Sequence, residues 1–180
     1  MVKSFLRSDR GNITYMYHPL DLGPAGFEKL PWYETTYFHI PLAIFFLIAF
    51  LSATWVGIIR NIVRYHSKSS QQHKPIARLA WLVAGIVSLL YLVFPIGMGL
   101  ALLLNDPIEL IYGVPSVMVA LLWIPIVAAL ISILLPMFAV LAWQKKYWSS
   151  WGKLHYSIVT IATLGFIPFL DYWNLLGFRF

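Results

Sequence analysis
Any chemistry in this chain must come from a few polar side chains scattered among long apolar stretches. Ser150-Trp151-Gly152-Lys153 has the S-x-x-K spacing, which can set a serine nucleophile beside a lysine. Acyl transfer also needs a general base and an oxyanion hole around that serine. No K-T-G-like string is present to complete the set. Tyr172-Trp173-Asn174 fits Y-x-N, but the topology derived below carries it to the opposite membrane face. Both strings therefore read as chance matches to short patterns. A haem would need axial side chains such as paired histidines, and His39 and His155 fall near opposite faces. His66 and His73 share a basic stretch without a carboxylate, a poor metal site. The absence of cysteine removes disulfides and thiolate ligands. No cofactor, metal or catalytic residue is expected. Asn12-Ile13-Thr14 is a glycosylation sequon, relevant only in a secretory-pathway host.

The elements that position these residues are apolar spans. Of 180 residues, 60% are hydrophobic and 11% charged, against about 25% charged in a soluble domain. With a mean hydropathy of +0.75, this is the composition of an integral membrane protein. The formal charge of +6 follows from topology, not from nucleic-acid binding, and its natural counterpart is the anionic lipid headgroup. Residues 1–35 lack the regions of a secretory signal peptide, so the first span is expected to direct insertion itself.

Arg60–Arg78 holds Arg60, Arg64, Lys68, Lys74 and Arg78 and no acid. Loops rich in Lys and Arg stay cytoplasmic, which fixes the side of every other segment. A span needs roughly 20 apolar residues to cross about 30 Å of hydrocarbon. Four are predicted, at about 37–63, 76–104, 114–143 and 154–173. The second inner loop, Gln144–His155, adds Lys145, Lys146 and Lys153, while all seven acidic residues fall on the other side. The predicted fold is an all-α, four-transmembrane-helix bundle spanning residues 37–180, with both termini outside. Pro41 is placed in the first turn of span one, where a missing N–H matters least. Pro95, Pro125, Pro136 and Pro168 predict kinks in spans two to four. No ionisable residue lies near the centre of a span; His39, His155 and Asp171 sit near the ends and read as interfacial. Ala49, Ala53 and Gly57 on span one, and Ala80, Ala84 and Ser88 on span two, recur every four residues. Small residues let membrane helices approach, so these stripes are expected to face each other.

Residues 1–36 form an extracytoplasmic juxtamembrane segment. Ser4–Arg7 and 12–17 are β-favouring runs around the turn residues Ser8-Asp9-Arg10-Gly11, which predicts a short hairpin. A lone hairpin is marginal in water, so it is expected to belong to something larger. Phe27-Glu28-Lys29-Leu30-Pro31-Trp32-Tyr33-Glu34 reads as an interfacial stretch.

Residues Phe27–His39, FEKLPWYETTYFH, and the C-terminal run Trp173-Asn174-Leu175-Leu176-Gly177-Phe178-Arg179-Phe180 resemble the membrane domain that follows the catalytic domain in many bacterial β-lactamase-like serine hydrolases. The opening Phe5–Tyr17 looks like the last hairpin before that domain. Trp143 with Lys145-Lys146-Tyr147-Trp148, and Gly152-Lys153-Leu154-His155-Tyr156, look similar to the family's last inner loop. The resemblance implies an extracytoplasmic hydrolase domain working through an acyl-serine, attached to the bacterial inner membrane. This chain departs from that pattern because the catalytic domain is absent, so anchoring, helix-mediated dimerisation or presentation of a lipid-linked substrate are what carry over. The matched residues Trp32, Tyr33, Glu34, His39, Tyr172, Trp173, Asn174, Gly177 and Arg179 then have mechanical roles. The aromatics hold the outer interface, and Arg179 meets lipid phosphate, Asp171 or Glu34.

The leading expectation is a non-enzymatic membrane anchor or accessory domain for a serine hydrolase, in cis or in trans. The alternative is a small transporter or channel subunit, favoured by proline-broken spans and opposed by the lack of intramembrane charge and of an inverted repeat. An intramembrane enzyme is disfavoured because no acid–base pair or metal constellation shares one membrane level.

Overall fold
The computed structural model describes residues 4–7, 13–20, 23–28, 30–66, 75–105, 113–145 and 148–178. Among the described residues six α-helices follow one another: α1 Thr36–His66, α2 Pro75–Leu104, α3 Ser116–Leu121, α4 Trp123–Ser132, α5 Leu134–Lys145 and α6 Ser150–Tyr172. They make four helical segments long and apolar enough to cross a membrane: Thr36–Arg60, Pro75–Leu104, Ser116–Lys145 and Ser150–Tyr172. The chain is thus a multi-pass membrane protein by length and composition of its helices.

Span three is one helical segment, Ser116–Lys145, with two single-residue interruptions. Its interruptions fall at Leu122 and Ile133, three residues before Pro125 and Pro136. A proline has no N–H for the carbonyl four residues back, and its ring crowds that turn. Here those carbonyls belong to Leu121 and Ser132, next to the two breaks. By contrast α2 and α6 are unbroken through Pro95 and Pro168. Pro41 falls in the second turn of α1, not the first, because the helix starts at Thr36. The loop expected at Gln144–His155 is also shorter than predicted. Helix α5 runs on to Lys145, and α6 begins at Ser150, where Ser149 caps it by accepting from the Gly152 N–H at 3.3 Å.

Residues Met1–Ala43 and Ile44–Phe180 form separate compact units. In the first, Ser4–Arg7, Ile13–Leu20 and Gly23–Glu28 run as antiparallel strands in the order β1-β2-β3. Phe5 pairs with Met16, and Met16 with Phe27. The turn expected at 8–11 lies outside the described residues. A 3-10 turn, Trp32–Glu34, then leads into α1, with Thr35 Oγ1 donating to the Trp32 carbonyl at 2.6 Å. The Trp32 ring meets Phe38 edge-on at 5.3 Å. His39 is buried.

In the second unit α2 packs along α4, α3 and α5, and α6 packs along α5 and α4. A cross-helix aromatic cluster fills the interior. Phe50 of α1 lies 5.3 Å from Tyr91 of α2 and 5.2 Å from Phe166 of α6. Tyr91 and Phe166 meet edge-on at 4.9 Å, and Phe46 joins Phe166 at 5.1 Å. Such edge-to-face pairs add to the dispersion energy that holds helices together where lipid offers no hydrophobic drive. Hydroxyls inside the bundle bond back to their own helices: Ser132 to the Ala128 carbonyl, Thr160 to Tyr156 and Thr163 to Val159, at 2.6–2.8 Å. This satisfies them without water. A Cβ at Gly97 would come within 2.9 Å of the tip of the Leu121 side chain, which would have to shift to admit it.

Ala49, Ala53, Ala80, Ala84 and Ser88 are all buried. Gly57 is at no tight contact, for a Cβ built there meets nothing within 4 Å. At the far end, α6 closes in a Schellman turn. Leu175 N–H bonds the Leu170 carbonyl at 2.8 Å, and Asn174 N–H bonds Asp171 at 3.0 Å. Asn174 takes the left-handed conformation (φ 54°) that this turn needs and that asparagine tolerates.

The aromatic cluster gives a direct prediction. Phe166→Ala should destabilise the protein by about 3–5 kcal/mol. Ile161→Ala, on the 66% exposed face of the same helix, should cost about 0.5 kcal/mol or less. Thermal unfolding in detergent compares the two.

Candidate functional site
Arg60 lies six residues before the end of α1, and Trp81 six after the start of α2. An antiparallel pair of helices brings the two to one level. The Arg60 guanidinium carbon sits 4.0 Å from the Trp81 ring centroid, a cation–π contact. His155 of α6 stacks on the same indole, with centroids 5.6 Å apart and planes 16° from parallel. Tyr156 meets Trp81 edge-on at 5.3 Å, and Trp148 lies 5.3 Å from Trp81 and 4.9 Å from Tyr156. The Tyr156 hydroxyl donates to the Ala80 carbonyl at 3.4 Å. Trp81 and Tyr156 are buried at this joint. One cation and four rings thus tie the ends of α1, α2 and α6 to the segment before α6.

His155 Nε2 also lies 3.0 Å from Ser52 Oγ of α1. A serine beside a histidine invites comparison with an activated nucleophile. The hydrogen bonds argue for a tie between helices instead. Ser52 Oγ is 2.8 Å from the Ala49 carbonyl and donates its proton there, so Nε2–H is the donor to Oγ. The other ring nitrogen, Nδ1, is buried without a hydrogen-bond partner among the described residues, so no carboxylate orients the ring as a triad needs.

Between α1 and α2 the same end opens a cleft of ≈ 250 Å³. Arg60 and Arg78 border it, and aliphatic side chains form its walls, Ile58 from α1 and Leu82, Ile86 and Leu89 from α2. Positions 78, 82, 85 and 89 fall on one stripe of α2, as the helical repeat requires. No carboxylate is among the described residues that line the cleft. No group of three or more His, Asp or Glu residues that could hold a metal occurs among the described residues.

The basic residues expected to set topology gather at this end. Arg60 and Arg64 lie in the last turns of α1, Arg78 in the first turn of α2, Lys145 closes α5, and Lys153 lies in the first turn of α6. Lys68, Lys74 and Lys146 lie outside the described residues. Lys153 Nζ sits 5.5 Å from the Trp143 ring, and Trp143 donates to Ser157 Oγ at 3.1 Å. His155, near the start of α6, is half-buried in the joint. Ser150 and Tyr172, anchors of the two hydrolase-like strings, stand at opposite ends of α6, about 33 Å apart. Trp32, Tyr33, Tyr172 and Trp173 are exposed rings. Glu34 closes the 3-10 turn, and Gly177 has a positive φ of 97°. Arg179 lies outside the described residues, and with it the contact expected to Asp171 or Glu34.

Trp81, Ser52 and the cleft carry no sequence signal of a site, and Trp148 and Tyr156 enter the sequence reading only through the loop resemblance. The one spacing that bears on the joint is that Arg60 and Trp81 are equally distant from their shared loop. No family model matches the chain, and no curated protein or solved structure matches it either.

Arg60→Gln should lower stability by about 1–2 kcal/mol through loss of the cation–π contact. Arg78→Gln, whose side chain is exposed, should stay within about 0.5 kcal/mol of wild type. Denaturant unfolding of the detergent-purified protein distinguishes them.

Proposed function
We propose that this chain is a non-catalytic membrane domain that anchors or assists a β-lactamase-like serine hydrolase at the bacterial inner membrane. In this reading both flanks of the bundle are extracytoplasmic and the cationic end faces the cytoplasm, because Lys- and Arg-rich loops resist translocation. The short N-terminal strands then adjoin the hydrolase, and the exposed rings at Trp32, Tyr33, Tyr172 and Trp173 rest at headgroup level. Helix-mediated self-association and presentation of a lipid-linked substrate belong to the same reading.

The observation that carries it is the closed interior. Phe46, Phe50, Tyr91 and Phe166 interlock across the bundle, and Ser52 and His155 are engaged in holding helices. This is what a support needs, and a substrate path needs the reverse. The interrupted third span favours a transporter, since broken helices often line substrate paths. Here, however, the interruptions follow from Pro125 and Pro136.

The test is the DNA upstream of the Met1 codon, together with a fluorescent penicillin applied to membranes of the source cell. The proposal expects a secreted S-x-x-K domain encoded in or beside the same transcript. It also expects the acyl-serine label to co-purify with a tag placed on this chain. No such frame and no co-purifying label, with labelled solute crossing proteoliposomes of the chain alone, would replace the anchor with the transporter.

A further inference from the structure
The cleft between α1 and α2 has the chemistry of an amphiphile. One end carries two guanidinium groups, Arg60 and Arg78, with no carboxylate among the described lining residues, and the rest is aliphatic. From Arg78 to Leu89 the lined stripe of α2 covers about 16 Å, roughly half the 30 Å of a bilayer's hydrocarbon. That is the depth of one leaflet. Two glycines, Gly57 and Gly85, border the cleft, and a Cβ at either would meet nothing within 4 Å. They leave room that larger residues would fill.

Two lining residues each bury a polar atom that lacks a partner among the described residues. Trp81 is only 4% exposed, and its indole Nε1–H finds no hydrogen-bond acceptor among the described residues. Thr54 Oγ1, also on the lining, is buried and equally unpartnered. A buried donor left unsatisfied costs more than an average hydrogen bond contributes. Both atoms are closed off within the wall, so recognition rests on the two guanidinium groups and the aliphatic lining.

We propose that this cleft holds an anionic phospholipid of the surrounding bilayer. Its phosphate lies between Arg60 and Arg78, and one acyl chain lies along Ile58, Leu82 and Ile86. Guanidinium suits this role because it presents fixed donors in its own plane to a phosphate, and the face contact with Trp81 orients that plane. The proposal rests on the membrane reading of the four spans but not on which side the cationic end faces.

The full chain is reconstituted in phosphatidylcholine nanodiscs doped with phosphatidylglycerol, released into mild detergent, and examined by native mass spectrometry. The wild type should keep a single phosphatidylglycerol, preferred over phosphatidylcholine by roughly tenfold. Arg78→Gln removes one donor set and Gly85→Leu fills the cleft; each should cut that retention roughly tenfold. Lys153→Gln, a charge at the same end but beside Trp143, should leave it unchanged. Equal retention of the two lipids, or unchanged retention in Arg78→Gln and Gly85→Leu, would overturn the proposal. So would an equal loss in Lys153→Gln, which would reduce the effect to general surface charge. A chain that failed to enter the discs would overturn the membrane reading along with it, whereas a chain that entered without holding lipid would overturn the cleft alone.

Discussion
Hydrocarbon offers no water to a carbonyl, a hydroxyl or a charge, and the bundle is arranged around that constraint. Backbone groups are satisfied within helices, and Ser132, Thr160 and Thr163 return their hydroxyls to their own backbone. With these hydroxyls satisfied locally, shape complementarity contributes to holding the helices together, and aromatic rings supply it. Phe50, Tyr91 and Phe166 come from three different helices and meet at one level. The same constraint explains the third span. A proline there frees a carbonyl one turn back, and the helix resumes at the residue after the break, Trp123 or Leu134.

Charge obeys the constraint differently at the two ends. The cationic end does not simply leave its arginines to headgroups. Arg60 is drawn inward onto Trp81, which is itself braced by His155, Tyr156 and Trp148. A guanidinium is weakly hydrated and stacks on indole, so it can stay partly desolvated at the edge of the hydrocarbon. The joint therefore does two things with one contact: it fastens α1 to α2 and α6, and it keeps a positive charge at the mouth of the cleft.

The spans could be read directly because long runs such as 76–104 leave no other use for so much apolar surface. Proline positions marked where backbone bonds would be lost, but not which losses would break a helix. Pro125 and Pro136 interrupt the chain, while Pro95 and Pro168 lie inside unbroken helices. The inner loop was overestimated because Lys153 reads as a loop residue, whereas Ser149 starts the helix before it. The joint was illegible for another reason. Ser52 and His155 are 103 positions apart, and a lone sequence assigns Arg60 to topology and His155 to an interface without a way to bring them together. The cleft has no sequence signature, since Gly57 and Gly85 look like any small residues in a membrane helix.

The side on which the cationic end lies tests the account most directly. The chain has no cysteine, so a single introduced cysteine reports one position without background. Ser70→Cys, between α1 and α2, should react with a membrane-impermeant maleimide only after spheroplasts are permeabilised. Ser8→Cys, before the first helix, should react in intact spheroplasts. The reverse pattern, or reaction of both in intact spheroplasts, would contradict a bundle with its arginine end in the cytoplasm and both flanks outside.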